Sequence, residues 1–428
     1  VSTFLFTVWP LTGHIHPNLA IAQELRKLGH RVAFYSGSKV RAMVEGEGFE
    51  FYPLRKVDEG MIEEMFLSPR GIQAATKNPF KLRDRWRQCV LDSIPAQLED
   101  LEAVLASLHP DAIVCDPTMW APFLILHEKK QIPVAIFSLV PACHLSGRDG
   151  PILGFPIPRA HTAFERLRGS LLKAASDLFL RSTRRLASRL RESHGLSPLP
   201  CSVTDFAGRM PLYLVPGSPE FDYLRDDLPP SVHYVGPCLY QGTKEESLPD
   251  WIANLPPNQP IVYASEGTVQ LKPIVLRAVV QGLAGLPIQV IVTTGKHRDP
   301  AEIDFGVHPL PDNIHVERWI PLTPLLPKLS AMVTIGGPST MLAAFEQGVP
   351  VVVVPFTWDH PETGFRVSES GAGIHIPPGQ CTPERMRTAV KRILEDPSFR
   401  QNTRRLAQSL DRCGGAPAAA RLIEQLPL

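Results

Sequence analysis

VSTFLFTVWPLTGHIHPNLAIAQELRKLGHRVAFYS forms residues 1–36. The run 3–8 is apolar and short, as a buried strand is. In 17–28 the apolar residues Leu19, Ala22, Leu25 and Leu28 recur at helical spacing, and Gly29 ends the pattern. A second apolar run covers 31–35. Strand, helix and strand in this order predict a parallel sheet with helices on its faces. The runs 112–115 and 134–137 continue it.

The pattern restarts in the second half, with short apolar runs at 260–264, 289–293, 331–334 and 351–355. Between the halves, 236–259 holds Pro237, Gly242, the cluster Lys244-Glu245-Glu246 and the pair Pro256-Pro257, a composition that suits an interdomain linker. The expected fold class is α/β: two Rossmann-like domains, 1–236 and 237–405, whose parallel sheets face each other across a cleft at their carboxyl ends. A further helical segment, 406–428, follows.

The chain has 428 residues, with 44 Lys and Arg against 43 Asp and Glu, a formal charge of +1. That balance excludes general nucleic-acid binding, which relies on a basic excess. Seven cysteines lie scattered with no CxxC pair. This argues against a zinc ribbon or a dithiol redox centre and suits a reduced, cytoplasmic setting. No apolar run approaches the roughly 18 residues of a membrane span. Residues 1–10 read as a first strand and not as a secretion signal.

Each chemical candidate follows a predicted strand, at the edge where open parallel sheets bind ligands. Thr12-Gly13-His14-Ile15-His16-Pro17-Asn18 follows the first, and the imidazole of His14 is a natural base near neutral pH. Asp116 closes the run 110–116. Beside His14 it would hold the tautomer and stabilise the imidazolium; alone it reads equally as a helix N-cap. Ile335-Gly336-Gly337-Pro338-Ser339-Thr340-Met341 joins a strand to a helix. Its glycines let a ligand approach the backbone, and a helix N-terminus with Ser339 and Thr340 beside it suits a diphosphate. Asp359 and His360 follow 351–355, placed either to bind sugar hydroxyls or to cap the loop. Lys296 and His297 bring cations to the same edge after 289–293. Trp120, Phe123 and Phe155 would give the first domain an apolar acceptor pocket. No GxGxxG follows the first strand, which disfavours a dinucleotide oxidoreductase, and no Asp-x-Asp pair implies a metal.

Taken together, these points resemble the UDP-glycosyltransferase family, nucleotide-sugar-dependent enzymes with two facing Rossmann-like domains of the GT-B type. GHIHPNLAIAQELRKLGHRV at 13–32 is similar to the family's Gly-His-x-x-Pro opening and first helix. The stretch from Trp319-Ile320-Pro321-Leu322 through Gly348-Val349-Pro350 to Asp359-His360 is similar to its donor-binding signature. The resemblance implies His14 as catalytic base with Asp116 as its partner. It implies Trp319 stacked on the uracil, with the Ile320 backbone pairing the base edge. Ser265, Gly267 and Thr268 match a first diphosphate loop, and Gly337, Ser339 and Thr340 match a second, with the backbone amide of Gly336 beside it as a further expected donor contact. Asp359 and His360 match the pair that holds sugar hydroxyls. The implied reaction is an inverting transfer of a hexose from a UDP- or dTDP-linked donor to a hydroxyl of a hydrophobic small molecule. It needs no cofactor and no metal, the nucleotide sugar being a co-substrate. The last segment is implied to return to the first domain. Four positions depart from the family. It usually has His where this chain has Ile335, Glu at Ala343, and often Gln at Leu322 and at His360. Lys296 or His297 is expected to replace the cation lost at Ile335. Two alternatives share the architecture: a nucleotide-sugar 2-epimerase, and a catalytically impaired homologue that binds or activates a partner.

The segment 165–195 carries eight Lys and Arg against three acids, with an apolar stripe at Leu167, Leu171, Ala175, Leu178, Leu186 and Leu190. Such a helix either packs its stripe on the core and exposes its charges, or makes a weak peripheral contact with an anionic membrane.

Overall fold

Each short apolar run becomes a strand, and all strand pairings among the described residues are parallel. The computed structural model describes every residue except 67, 69–78, 140–144, 146–159, 223–224, 226, 243–246, 268–271, 296–297, 357–358 and 428. Two compact units emerge, Val1–Tyr240 with Arg412–Leu428, and Gln241–Asp411.

In the first unit β1 (Thr3–Thr7), β2 (Arg31–Ser36), β3 (Glu50–Pro53), β4 (Ala112–Cys115), β5 (Val134–Phe137), β6 (Leu212–Val215) and β7 (Val232–Tyr234) lie in the order β3-β2-β1-β4-β5-β6-β7. In the second, β8 (Ile261–Ser265), β9 (Gln289–Thr293), β10 (Ile314–Glu317), β11 (Ala331–Thr334), β12 (Val351–Val353) and β13 (Gly373–His375) lie in the order β10-β9-β8-β11-β12-β13. Parallel neighbours need crossovers, and among the described residues helices supply most of them. The central strands are buried on both faces, so their sequences are apolar runs rather than alternations.

The first helix spans Thr12–Lys27. It begins five residues before the periodic stretch that announced it, so His14 sits in its first turn and not in a preceding loop. Pro17 lies inside the helix. Asn18 supports the same turn, its Nδ2 donating to His14 O at 2.8 Å. Ile15 and Leu19 join Phe4, Phe6 and Val8 of the β1 region in one buried cluster.

That cluster also contains Ala416, Ala419, Ala420 and Ile423 of the last helix, Gly415–Glu424. His30 Nε2 lies 3.1 Å from Glu424 Oε1 at the rim. The preceding helix, Pro397–Cys413, runs without a break through 405. The chain passes from the second unit to the first between Asp411 and Arg412, near the end of this helix. The other boundary, Tyr240/Gln241, falls a few residues after 236.

The basic segment forms two helices, Ala163–Phe179 and Arg181–Ser193. Thr162 and Glu165 close a reciprocal capping box on the first. Its apolar stripe does not pack on the core: Phe164, Leu167, Leu171 and Leu178 are 58% to 76% exposed. The buried residue of this helix is Ser176, which lies about 140° around the axis from Leu171. The second helix is anchored by Arg191, a buried guanidinium bonded to Leu124 O, Ser197 O and Glu128. No helix among the described residues is long and apolar enough to cross a membrane.

Candidate active site

From β1 the sheet of the first unit grows one way to β2 and β3 and the other way to β4. Such a reversal of strand order opens a crevice at the carboxyl ends. Thr7 and Cys115 are the last paired residues of β1 and β4, and Asp116 N donates to Thr7 O at 2.9 Å. Asp116 therefore lies one residue past the sheet, at the crevice. His14 comes to the same point from the first turn of the helix after β1. His14 Nδ1 and Asp116 Oδ2 are 2.5 Å apart.

The other oxygen of Asp116 accepts from Thr118 N at 2.9 Å and from Thr118 Oγ1 at 2.6 Å. One carboxylate thus makes a local turn and orients the imidazole. Asp116 is fully buried, while the His14 side chain keeps 25% of its surface exposed. Burial pushes the Asp116 carboxyl upward, but the charge and hydrogen bond of His14 and the two Thr118 bonds outweigh it and hold the group below the ordinary carboxylate value. An ionised Asp116 accepts, so Nδ1 carries the proton and Nε2 is left as the basic nitrogen.

In the second unit the strand order reverses between β8 and β11, so the segments after these strands flank its crevice. Ser265 ends β8, and Gly267 follows with φ +66°. A β-carbon on Gly267 would lie 3.2 Å from Ile335 Cδ1. Gly336 has φ +97°, and a β-carbon there would meet Val353 Cγ2 at 3.0 Å and His360 Cβ at 3.6 Å. Glycine is required at both by conformation and by space. The segments after β8, β11 and β12 therefore touch one another.

Gly337 is the N-cap of the helix Pro338–Glu346, with no side chain capping it, and Ser339 and Thr340 stand in its first turn, partly exposed. Asp359 is the N-cap residue of the helix His360–Ser370, yet its side chain makes no capping bond. His360 is held neutral: burial lowers its pKa and Asp359 only partly opposes this. Its Nδ1 is a buried atom with no hydrogen-bond partner among the described residues. Trp319 follows β10 and is 41% exposed, whereas Ile320 beside it is buried. Ile335 is a core residue packed with Val333 and Val354. Ala343 is buried within its helix, and Leu322 opens a short helix, Leu322–Leu325.

Thr268, Lys296, His297 and Phe155 lie outside the described residues. Trp120 and Phe123 are buried in the first unit, and the Trp120 indole donates to Pro117 O at 3.0 Å. They are core side chains that offer little surface to an acceptor. Among the described residues no group of three or more His, Cys, Asp or Glu is arranged to hold a metal ion. Sequence reasoning passed over Thr118, whose Asp-x-Thr spacing is a turn signal. It also passed over Glu266, a lone acid in a loop, which gives no signal at all.

Residues 12–144 match the glycosyltransferase family 28 N-terminal domain, and residues 278–425 match the C-terminal domain described as erythromycin biosynthesis protein CIII-like. The chain is 33% identical over 429 residues to 4'-demethylrebeccamycin synthase of Lentzea aerocolonigenes, covering 99% of each chain. It belongs to the UDP-glycosyltransferase family. It is 28% identical to demethyllactenocin mycarosyltransferase of Streptomyces fradiae, over 98% of this glycosyltransferase and 86% of that protein. The fold is GT-B. A solved glycosyltransferase of kitacinnamycin superposes with a TM-score of 0.76 at 22% identity, covering 99% of this chain and 98% of the other. Spinosyn rhamnosyltransferase superposes at 0.73 and 19%, covering 99% and 100%.

Proposed function

We propose that this glycosyltransferase moves a hexose, with inversion, from a UDP- or dTDP-linked donor to a hydroxyl of a hydrophobic natural-product acceptor. The reading is carried by the His14–Asp116 pair, an imidazole oriented by a buried carboxylate at 2.5 Å. His14 Nε2 takes the acceptor proton as the acceptor oxygen attacks the anomeric carbon. The bond from that carbon to the diphosphate oxygen breaks, and the electron pair leaves on the diphosphate. Asp116 stabilises the imidazolium. Amides at the start of the helix Pro338–Glu346 stabilise the departing charge. A single displacement inverts the anomeric centre.

Relatives support the substrate classes. Spinosyn rhamnosyltransferase has been solved with thymidine diphosphate and with spinosyn aglycone. The relatives named above are sugar transferases or a synthase of natural products. The outward stripe of the helix Ala163–Phe179, followed by exposed Arg181, Arg185 and Arg189, also supports a weak contact with an anionic membrane surface. Sedimentation with vesicles of phosphatidylglycerol and phosphatidylcholine, against phosphatidylcholine alone, tests that contact.

The reaction is tested with UDP- and dTDP-hexoses and an unactivated alcohol. His14→Ala should lower turnover by about two to four orders of magnitude. The proton coupling constant at the product's anomeric carbon should report inversion. A near-normal rate in the variant, or retained configuration, would refute the mechanism. Hydrolysis or epimerisation of the donor with no transfer would favour the alternatives.

A further inference from the structure

Glu266 stands in the segment Ser265-Glu266-Gly267 after β8, and its side chain is fully buried. Its Oε1 accepts from Val275 N at 2.6 Å and Leu276 N at 3.2 Å. These are first-turn amides of the helix Ile274–Leu283, whose own N-cap, Pro273, has no capping side chain. Its Oε2 accepts from Arg298 Nη1 and Nη2, both at 3.2 Å. Arg298 is tied in turn to the segment after β9: its Nε donates to Thr294 O at 2.8 Å, and Thr294 Oγ1 donates to Arg298 O at 2.7 Å. In that segment a β-carbon on Gly295 would lie 3.8 Å from Gly267 O. One carboxylate thus joins the segments after β8 and β9 to a helix start, directly beside Gly267.

This arrangement is costly for an anion-binding site. A carboxylate next to a place that receives a diphosphate repels it, and burial already pushes the Glu266 carboxyl above its ordinary value. The amides of the helix Ile274–Leu283 are also consumed by it. The other helix start at the strand-order reversal, that of Pro338–Glu346, has Gly337 as its N-cap and so no capping side chain from that residue. Ile335, packed on Gly267, brings no charge.

We propose that Glu266 and Arg298 act as a positioning pair for the donor diphosphate: Glu266 fixes the segment holding Gly267 relative to the segment after β9 and the start of Ile274–Leu283, and Arg298 screens the Glu266 charge from the donor. The inference rests on the nucleotide-sugar reading above. Neither residue needs to touch the donor, so the signature is one of charge balance and not of a lost contact. Removing Arg298 alone leaves an uncompensated buried carboxylate. Removing the charge of Glu266 as well relieves it.

The test titrates UDP and dTDP calorimetrically into the full chain and measures donor KM and kcat, with melting curves on every variant. Arg298→Met should weaken nucleotide binding and raise donor KM about tenfold or more. The double variant Glu266→Gln, Arg298→Met should recover most of that loss, although it departs further from the native chain. Arg298→Lys, which keeps the charge, should stay within about threefold of wild type in nucleotide affinity. Equal loss in Arg298→Met and in the double variant would mean that the pair is only structural. A tenfold loss in Arg298→Lys, which keeps the charge, would also overturn the proposal, and it serves as the test if Arg298→Met does not fold. Wild-type binding with Arg298→Met unaffected overturns the pair alone. A wild-type chain that binds neither UDP nor dTDP overturns the donor reading and the inference with it.

Discussion

Asp116 makes three bonds with two oxygens, and each has a separable effect. Asp116→Asn removes the charge that stabilises the imidazolium, so kcat should fall by about two orders of magnitude or more with little change in donor KM. Thr118→Val removes one of the bonds that hold the carboxyl low. Because the folded pKa of Asp116 is depressed, its contribution to stability is present above the unfolded value, about 3.9, and is lost as pH falls through the folded value. Thr118→Val raises the folded value and should move acid unfolding to higher pH. Circular dichroism along an acid titration reads this, and an unchanged midpoint would contradict it. At Ile335 the family's histidine is not simply missing. The position is a core site packed on Gly267. Ile335→His should therefore cost about 1–3 kcal/mol of stability through a buried, poorly paired imidazole, as urea denaturation would show, rather than restore a phosphate contact.

At the level of elements, apolar periodicity revealed that a helix has an apolar face but not where that face points. The strands were legible because a strand buried on both sides must be apolar throughout, as in the runs at 112–115 and 134–137. The helix Ala163–Phe179 was not, because its stripe reads the same whether it faces core or solvent. The difference is measurable. Leu171→Ser on the exposed stripe should change stability by no more than about 0.5 kcal/mol. Ile423→Ala, in the last helix and fully buried among Ile15 and Leu19, should cost about 2–5 kcal/mol. Chemical denaturation of the two variants compares them directly, and equal losses would mean that the stripe is covered in solution. The His14–Asp116 contact joins residues 102 apart in sequence. Spacing alone cannot supply it; strand order can, since His14 opens the helix after β1 and Asp116 follows β4, and these strands are neighbours at the reversal. Glu266 stayed hidden for the opposite reason, since its partners are backbone amides and a distant arginine that no local pattern marks.

For the molecule as a whole, the two units should respond differently to acid. His315, His360 and His375 all belong to the second unit, and burial lowers the pKa of each. Each stays neutral in the fold while the unfolded chain takes up a proton near its ordinary value of about 6.5. Stability is therefore lost as pH falls below about 6.5 toward the folded values. Asp116, in the first unit, keeps its stabilising role to lower pH. Hydrogen exchange at pH 7.5 and pH 5, corrected for intrinsic rate, should show protection falling first in 241–411. Loss confined to the first unit would contradict this.

The last helix, Gly415–Glu424, completes a core begun by residues 4–25. A ribosome makes those early residues long before it makes Ile423, and the whole of 241–411 is synthesised in the interval. The nascent first unit must wait with one face of its sheet and first helix uncovered, while the second unit already has all of its own chain. Maturation during synthesis should thus run from the inserted unit to the unit that encloses it. A nascent chain arrested just before residue 415 should carry a protease-resistant second unit and a protease-sensitive first one.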